Sequence, residues 1–313
     1  MNEAGRSGVP AKHNAGIRGW MGPLRSPGTV FVLPAALLVL VVIAYPFGAA
    51  VWISLTNKTV AGPPPDFIGL GNYARILRRA DFWATLQNTM LFAGGTLALS
   101  LVFGIALGLA LHRVTRGRNL LGALILLPWI VPTVISTLVW LWMFNPFAGV
   151  LNYLLLGAGV VRQPVNWLGA PALAMTAVIV VSAWRNIPYF GVITLAGIKE
   201  VPQELYEASG IDGANARQQF LHVTIPALKS VLLVYSTLVF VQTAYDFALI
   251  YILTRGGPAG STEVLSVKSF MTAFETGQMG VGVAIPLVVF PLFAPWMMLV
   301  TRRMITRWAG GGV

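Results

Sequence analysis

The chain has 313 residues, of which 56% are hydrophobic and only 10% charged, and its mean hydropathy is +0.75. Soluble domains carry about 25% charge, so this composition excludes an ordinary soluble enzyme and indicates an all-α, polytopic membrane protein. The net charge of +11 does not indicate nucleic-acid binding, because the lysines and arginines sit between apolar runs, and the absence of cysteine excludes disulfides and thiolate metal sites.

Residues 1–27 are polar, glycine-rich and basic through Arg6, Lys12, Arg18 and Arg25, and are read as a disordered cytoplasmic tail. No charge occurs from Ser26 to Asn57, which is long enough for an uncleaved first span over about 29–54. A second uncharged run extends from Phe82 to Leu111, and its Gly104 and Gly108 would let another helix approach closely. The third span is expected over 120–144, where Asn145-Pro146-Phe147 breaks it. Residues 148–158 are apolar but too short to cross and suit an interfacial helix. The fourth span, about 171–195, holds one charge, Arg185, and the fifth, about 228–253, holds one, Asp246. The sixth, about 279–301, ends at Arg302-Arg303 and leaves residues 305–313 as a cytoplasmic C-terminal tail.

Six spans over residues 28–304 put both termini on one side of the membrane. With the termini inside, the inner segments hold 13 lysines and arginines and the outer loops 7, a bias that favours cytoplasmic termini. No internal repeat is visible. Secondary transporters often contain two related halves, so this chain reads as one half of an assembly with a second membrane subunit.

The loop between spans four and five is the most informative segment. Pro202 can open a helix, Glu204 and Glu207 suit its positive end, and Gly213 can supply the positive φ that closes it. Leu205, Ala208 and Ser209 are spaced to form a small packing face. The result is a short, stiff helix near 203–213, suited either to passing force from a docked partner or to serving as an amphipathic connector.

This loop resembles the EAA motif of permease subunits of bacterial ATP-binding-cassette importers. Glu207-Ala208-Ser209 stands for the first triplet, Gly213 follows after three residues, and Val223-Thr224-Ile225-Pro226 closes the motif after nine more. Ser209, Val223 and Ile225 depart conservatively from the usual pattern. Phe67-Ile-Gly-Leu-Gly-Asn-Tyr73 and Phe82-Trp-x-x-Leu-x-Asn-Thr89 resemble the sugar-importer branch, and Thr254-Arg-Gly-Gly-Pro258 resembles its MalF-like members.

The resemblance implies a type I importer permease fold in the bacterial plasma membrane. It implies a MalG-like second permease, two ATPase subunits that bind ATP and magnesium, and an extracytoplasmic solute-binding protein. In that family the helix docks into the ATPase subunit, so Glu207, Ala208, Ser209, Gly213 and Pro226 are the implied coupling residues. The chain contains no Gly-Lys dipeptide, hence no P-loop, and therefore no ATPase chemistry or bound cofactor of its own is expected.

Two polar stripes are candidates for the solute pathway. Ser182, Asn186 and Tyr189 recur at i, i+4 and i+7 on span four, and Gln242, Tyr245 and Asp246 share a face of span five. Ser182, Asn186, Tyr189 and Tyr245 also resemble sugar-contacting positions of the maltose permease, although the residue types differ. Such stripes serve either a solute or interhelical hydrogen bonds. Arg185 should face a cavity or a partner rather than lipid. It could pair with Asp246, or bind an anionic solute such as a glycerol phosphate or sulfonated sugar. A secondary transporter is the less favoured class, since Arg185 and Asp246 are the only intramembrane charges. His13, His112 and His222 are too dispersed for a metal or proton relay, so no metal site is expected.

Overall fold

The computed structural model describes residues 27–291 together with Pro295 and Met298. The tails expected at 1–27 and 305–313 and the end of the sixth span therefore lie outside the described residues, apart from Pro27. The regular elements among the described residues are helices, and the one β-bridge among them, Thr56 with Phe67, is isolated.

Two units are distinguished, Met1–Trp52 and Ile53–Val313. In the first, α1 (Pro27–Val39) passes through a π turn (Leu40–Ala44) into α2 (Tyr45–Ser54). Together they supply an apolar helix from Phe31 to Ser54, long enough to cross a bilayer.

The second unit is built on two long helices, α4 (Ala80–Arg113) and α9 (Pro171–Glu200), both long and apolar enough to span. The buried face of α4 runs through Thr85, Thr89, Ala93, Thr96, Ser100, Gly104 and Gly108, in steps of three and four residues. It meets α9 in parallel register: Gly95 lies on Ile179, Gly104 on Phe190, and Gly108 on Thr194. The two glycines are thus where the backbones approach, as their spacing predicts. Between helices in lipid there is no hydrophobic driving force, so this close van der Waals packing carries the association. Helix α12 (Ile225–Ala244) runs antiparallel to α9, with Leu228 on Gly197 and Tyr235 on Phe190. The ends of α4 and α9 at Arg113 and Glu200 therefore share one side of this unit.

Two expected spans are interrupted. The third is divided among α5 (Arg118–Ile125), α6 (Leu127–Ile130) and α7 (Thr133–Met143). Pro132 forces the residue before it out of the helical region, and Val131 accordingly has ψ of 131°. The fifth is already helical from Ala216 and stops at Ala244, and α13 (Ala248–Leu253) resumes after Tyr245-Asp246-Phe247. No proline or glycine causes this break. The Asp246 carboxylate instead lies 3.4 Å from the Leu249 amide, competing for the backbone as a capping residue does. Of the sixth, α15 (Met279–Pro291) is described.

The connecting segments are tied down by buried amides. From the first turn of α3 (Gly71–Leu77), Asn72 donates to the carbonyls of Ser54 and Thr56. Beside α8 (Val150–Gly157), Asn152 donates to the carbonyls of Pro146 and Val165 and accepts from Val165 N and Trp167 Nε1. Asn88 donates to the carbonyls of Gly260 and Glu263, and the Thr89 hydroxyl accepts from the Leu265 amide. These bonds fasten the segment leading into α14 (Leu265–Phe270) to α4.

Candidate functional site

The α9–α12 connection folds as a short helix, α10 (Gln203–Ile211), followed by a turn and α11 (Ala216–Gln219). Pro202 has φ of −56° and stands at the N-cap, and Glu204 occupies the first turn, where the positive helix end favours it. Gly213 adopts φ of +80°, and the amides of Gly213 and Ala214 return to the carbonyls of Gly210 and Ser209. A glycine is required there because an L side chain is disfavoured in that conformation.

The faces of α10 differ from the sequence expectation in one respect. Leu205, Ala208 and Ser209 do not form one packing face. Ser209 turns inward, donating to the Tyr206 carbonyl and accepting from Gln219 Nε2. Leu205 and Ala208 turn outward with Ile211, which is 88% exposed, and Glu204 and Glu207 are exposed beside them. The helix thus presents an uncovered apolar stripe at i, i+3 and i+6 flanked by carboxylates. Ile211, more exposed than Leu205, falls in the Ile-Asp-Gly stretch just before the turn, among the positions that the motif leaves unspecified. A shallow cavity of about 220 Å³ lies between α10 and α11, lined by Ser209, Asp212, Gly213, Gln219, His222 and Val223 among others.

Pro226 sits inside a continuous helix from Ala216 to Ala244, not at a chain break. The helix accommodates it by a π turn over Phe220–Thr224, closed by the Ile225 amide bonding to the Phe220 carbonyl. Proline lacks the N–H and crowds the carbonyl four residues back, and a widened turn relieves both. The same arrangement recurs at Leu40–Ala44, two residues before Pro46.

The two polar stripes are only partly brought together. Ser182 is buried, and Asn186 donates to the Ser182 carbonyl of its own helix. Tyr189 is stacked on Trp129 of α6, 5.2 Å between ring centroids, and packs against Tyr235 of α12 at 4.6 Å. Gln242 and Tyr245 are exposed, and neither side chain bonds to α9 among the described residues.

Arg185 and Asp246 do meet. Arg185 Nη1 lies 4.0 Å from Asp246 Oδ2, with side chains 19% and 20% exposed. This is a charge contact without a hydrogen bond. Arg185 Nε is buried and has no hydrogen-bond partner among the described residues. Among the described residues the carboxylate accepts only the long bond from Leu249 N, while the Asp246 carbonyl accepts from Ser266 Oγ. Both charges are thus held at one level, at the helix break, with hydrogen-bonding capacity left over. Among the described residues no three His, Asp or Glu side chains converge as metal ligands would.

Residues 100–306 match the family described as binding-protein-dependent transport system inner membrane component. The chain is 38% identical over 265 residues to the trehalose/maltose transport system permease protein MalF of Thermococcus litoralis, spanning 85% of this chain and 89% of that one. It is 31% identical over 263 residues to the trehalose transport system permease protein SugA of Mycobacterium tuberculosis, spanning 83% of each. Its backbone is similar to that of a bacterial ABC transporter involved in the import of the acidic polysaccharide alginate, with a TM-score of 0.75 at 18% identity, covering 88% of this chain and 93% of the other. At that identity the likeness concerns the fold: this is an all-helical permease fold.

Proposed function

Because this chain belongs to the family of binding-protein-dependent transport system inner membrane components, we propose that it is one of two permease subunits of an ATP-driven importer for a neutral sugar or sugar derivative. Six crossings follow if α5–α7 and α12–α13 each count as one interrupted span and α15 as the start of the sixth. The Lys and Arg bias puts both termini, the α4–α5 connection and α10 in the cytoplasm. The parallel course of α4 and α9 and the antiparallel course of α12 support this alternation.

On this reading the stripe of Leu205, Ala208 and Ile211 docks on an ATPase subunit, with Glu207 at its edge, Ser209 behind it and Gly213 closing the helix. Pro226, with its π turn, stands at the base of α12. ATP and magnesium bind to a pair of such ATPase subunits. A MalG-like permease completes the pathway, and an extracytoplasmic binding protein delivers the solute, as the similarity to the trehalose and maltose permeases supports.

The observation that carries the solute class is the half-open pair of Arg185 and Asp246. A guanidinium offers only donors and a carboxylate only acceptors. A hydroxyl is both, and fits in series between them without adding net charge. An anionic group would gain Arg185 but face Asp246. Tyr245, which is exposed, adds an aromatic face for apolar C–H surfaces, Tyr189 contributes its hydroxyl from between Trp129 and Tyr235, and Ser182, Asn186 and Gln242 complete the candidate pathway. The test is uptake into vesicles holding the complete complex with its binding protein, comparing trehalose and maltose with an alginate pentasaccharide. Uptake of a neutral disaccharide is expected. Uptake of the acidic oligosaccharide alone would replace this reading with import of an anionic solute through Arg185.

A further inference from the structure

The α10 helix is fastened unequally to its two neighbours. Toward α9 the link is Val201-Pro202, both with extended ψ, and α10 has no side-chain bond capping its start. Toward α12 the link is a set of side-chain bonds. Gln219 Nε2 donates to the Tyr206 carbonyl at 3.2 Å and to Ser209 Oγ at 3.1 Å. The Tyr206 hydroxyl lies 2.9 Å from the hydroxyl of Thr224, a buried residue in the π turn. The turn between the helices is itself fixed by a reciprocal cap, Gln218 N to Asn215 Oδ1 and Asn215 N to Gln218 Oε1. From α11 onward the helix continues through Ala244, about 40 Å at 1.5 Å per residue, and ends at the break that holds Asp246.

We propose that Gln219 is a positioning residue which, with the Tyr206–Thr224 contact, makes α10 and α12 one rigid lever, so that displacement of α10 is delivered to the Asp246 break. A flexible junction would dissipate that displacement, whereas two separate attachments, the Gln219 amide on the Tyr206 carbonyl and Ser209 hydroxyl and the Tyr206 hydroxyl on Thr224, fix both the distance and the rotation of α10. The four groups come from two helices, with partners ten and eighteen residues apart, so no short motif spells them out. The inference rests on the reading of α10 as the ATPase-docking helix.

The chain contains no cysteine, which allows a direct test in the reconstituted complex. The double variant Ser209→Cys, Gln219→Cys removes the tie, and a short thiol-specific crosslinker puts it back. Before crosslinking, solute taken up per ATP hydrolysed is expected to fall several-fold, with the ATPase still bound. After crosslinking it is expected to return toward the unmodified value, which a residue serving only general stability would not show. Gln219→Glu, which loses the donor at nearly constant size, should lower the ratio on its own, and Gln219→Lys, which keeps a donor, should lower it less. Unchanged uptake per ATP in the uncrosslinked double variant and in Gln219→Glu would overturn the inference. So would a crosslink that stops uptake, because the two elements must then separate during transport. If the double variant does not assemble, the comparison of Gln219→Glu with Gln219→Lys decides. Failure of the docking reading shows elsewhere, as full ATPase copurification with Glu207→Lys or Ile211→Glu.

Discussion

Gly108 of α4 lies so close to Thr194 of α9 that a Cβ on the glycine would come within 2.6 Å of the threonine Cβ and 2.8 Å of the Gly191 carbonyl. The backbone carbonyl cannot swing aside as a flexible side chain could. Gly108→Ala is therefore expected to destabilise the helix pair by about 1–3 kcal/mol, the usual cost of overpacking. Gly94, on the same helix, has open space around its Cβ position, so Gly94→Ala should be neutral or stabilising. Thermal unfolding in detergent checks the contrast. The Thr194 hydroxyl is buried without a partner among the described residues, so Thr194→Val should cost nothing.

Arg185→Gln and Asp246→Asn separate a solute site from a structural ion pair. The two groups are 4.0 Å apart, about one-fifth exposed and not hydrogen-bonded to each other. Each change should leave the melting temperature nearly unaltered and raise the KM for a neutral sugar by roughly tenfold, the worth of one charge-assisted bond of about 1.5 kcal/mol. A structural pair behaves otherwise. Losing one partner would cost about 3–5 kcal/mol, and the swap Arg185→Asp with Asp246→Arg would restore both stability and uptake.

Membrane sidedness is accessible through two exposed positions. Ile211 is 88% exposed at the end of α10, and Phe147 is 95% exposed between α7 and α8. With Ile211→Cys or Phe147→Cys as the single thiol in the chain, an impermeant reagent added to intact cells should label position 147. Position 211 should react only after the membrane is opened. Labelling of both from the same side contradicts the orientation argued from the Lys and Arg bias.

Much of this architecture was legible in the sequence, and particular residues show why the rest was not. The uncharged runs located the long helices because a lipid-spanning segment needs length and apolarity and little else. Gly104, Gly108 and Gly213 disclosed their roles because only glycine permits such approach or such a φ. The break at Val131-Pro132 was concealed by its setting, a proline within an unbroken apolar run, where membrane helices commonly tolerate proline. Pro188 in α9 is tolerated in that way. The break at Asp246 has no proline or glycine to mark it, and the Ser266 hydroxyl that takes up the freed Asp246 carbonyl comes from twenty residues away. The inward turn of Ser209 follows from Gln219, ten residues away, which helical periodicity cannot see.

If α10 is, as proposed, the point at which an ATPase drives this permease, its exposed apolar face must be the surface that docks. The stripe of Leu205, Ala208 and Ile211 is uncovered in this chain, and a carboxylate in its middle would have to be desolvated on docking. The most direct measurement is Ile211→Glu in the complete complex, read as ATPase copurification and ATP-dependent solute uptake, with membrane insertion verified. Normal insertion, ATPase recovery reduced tenfold or more, and loss of uptake are expected. Wild-type ATPase recovery together with wild-type uptake would contradict that role of α10.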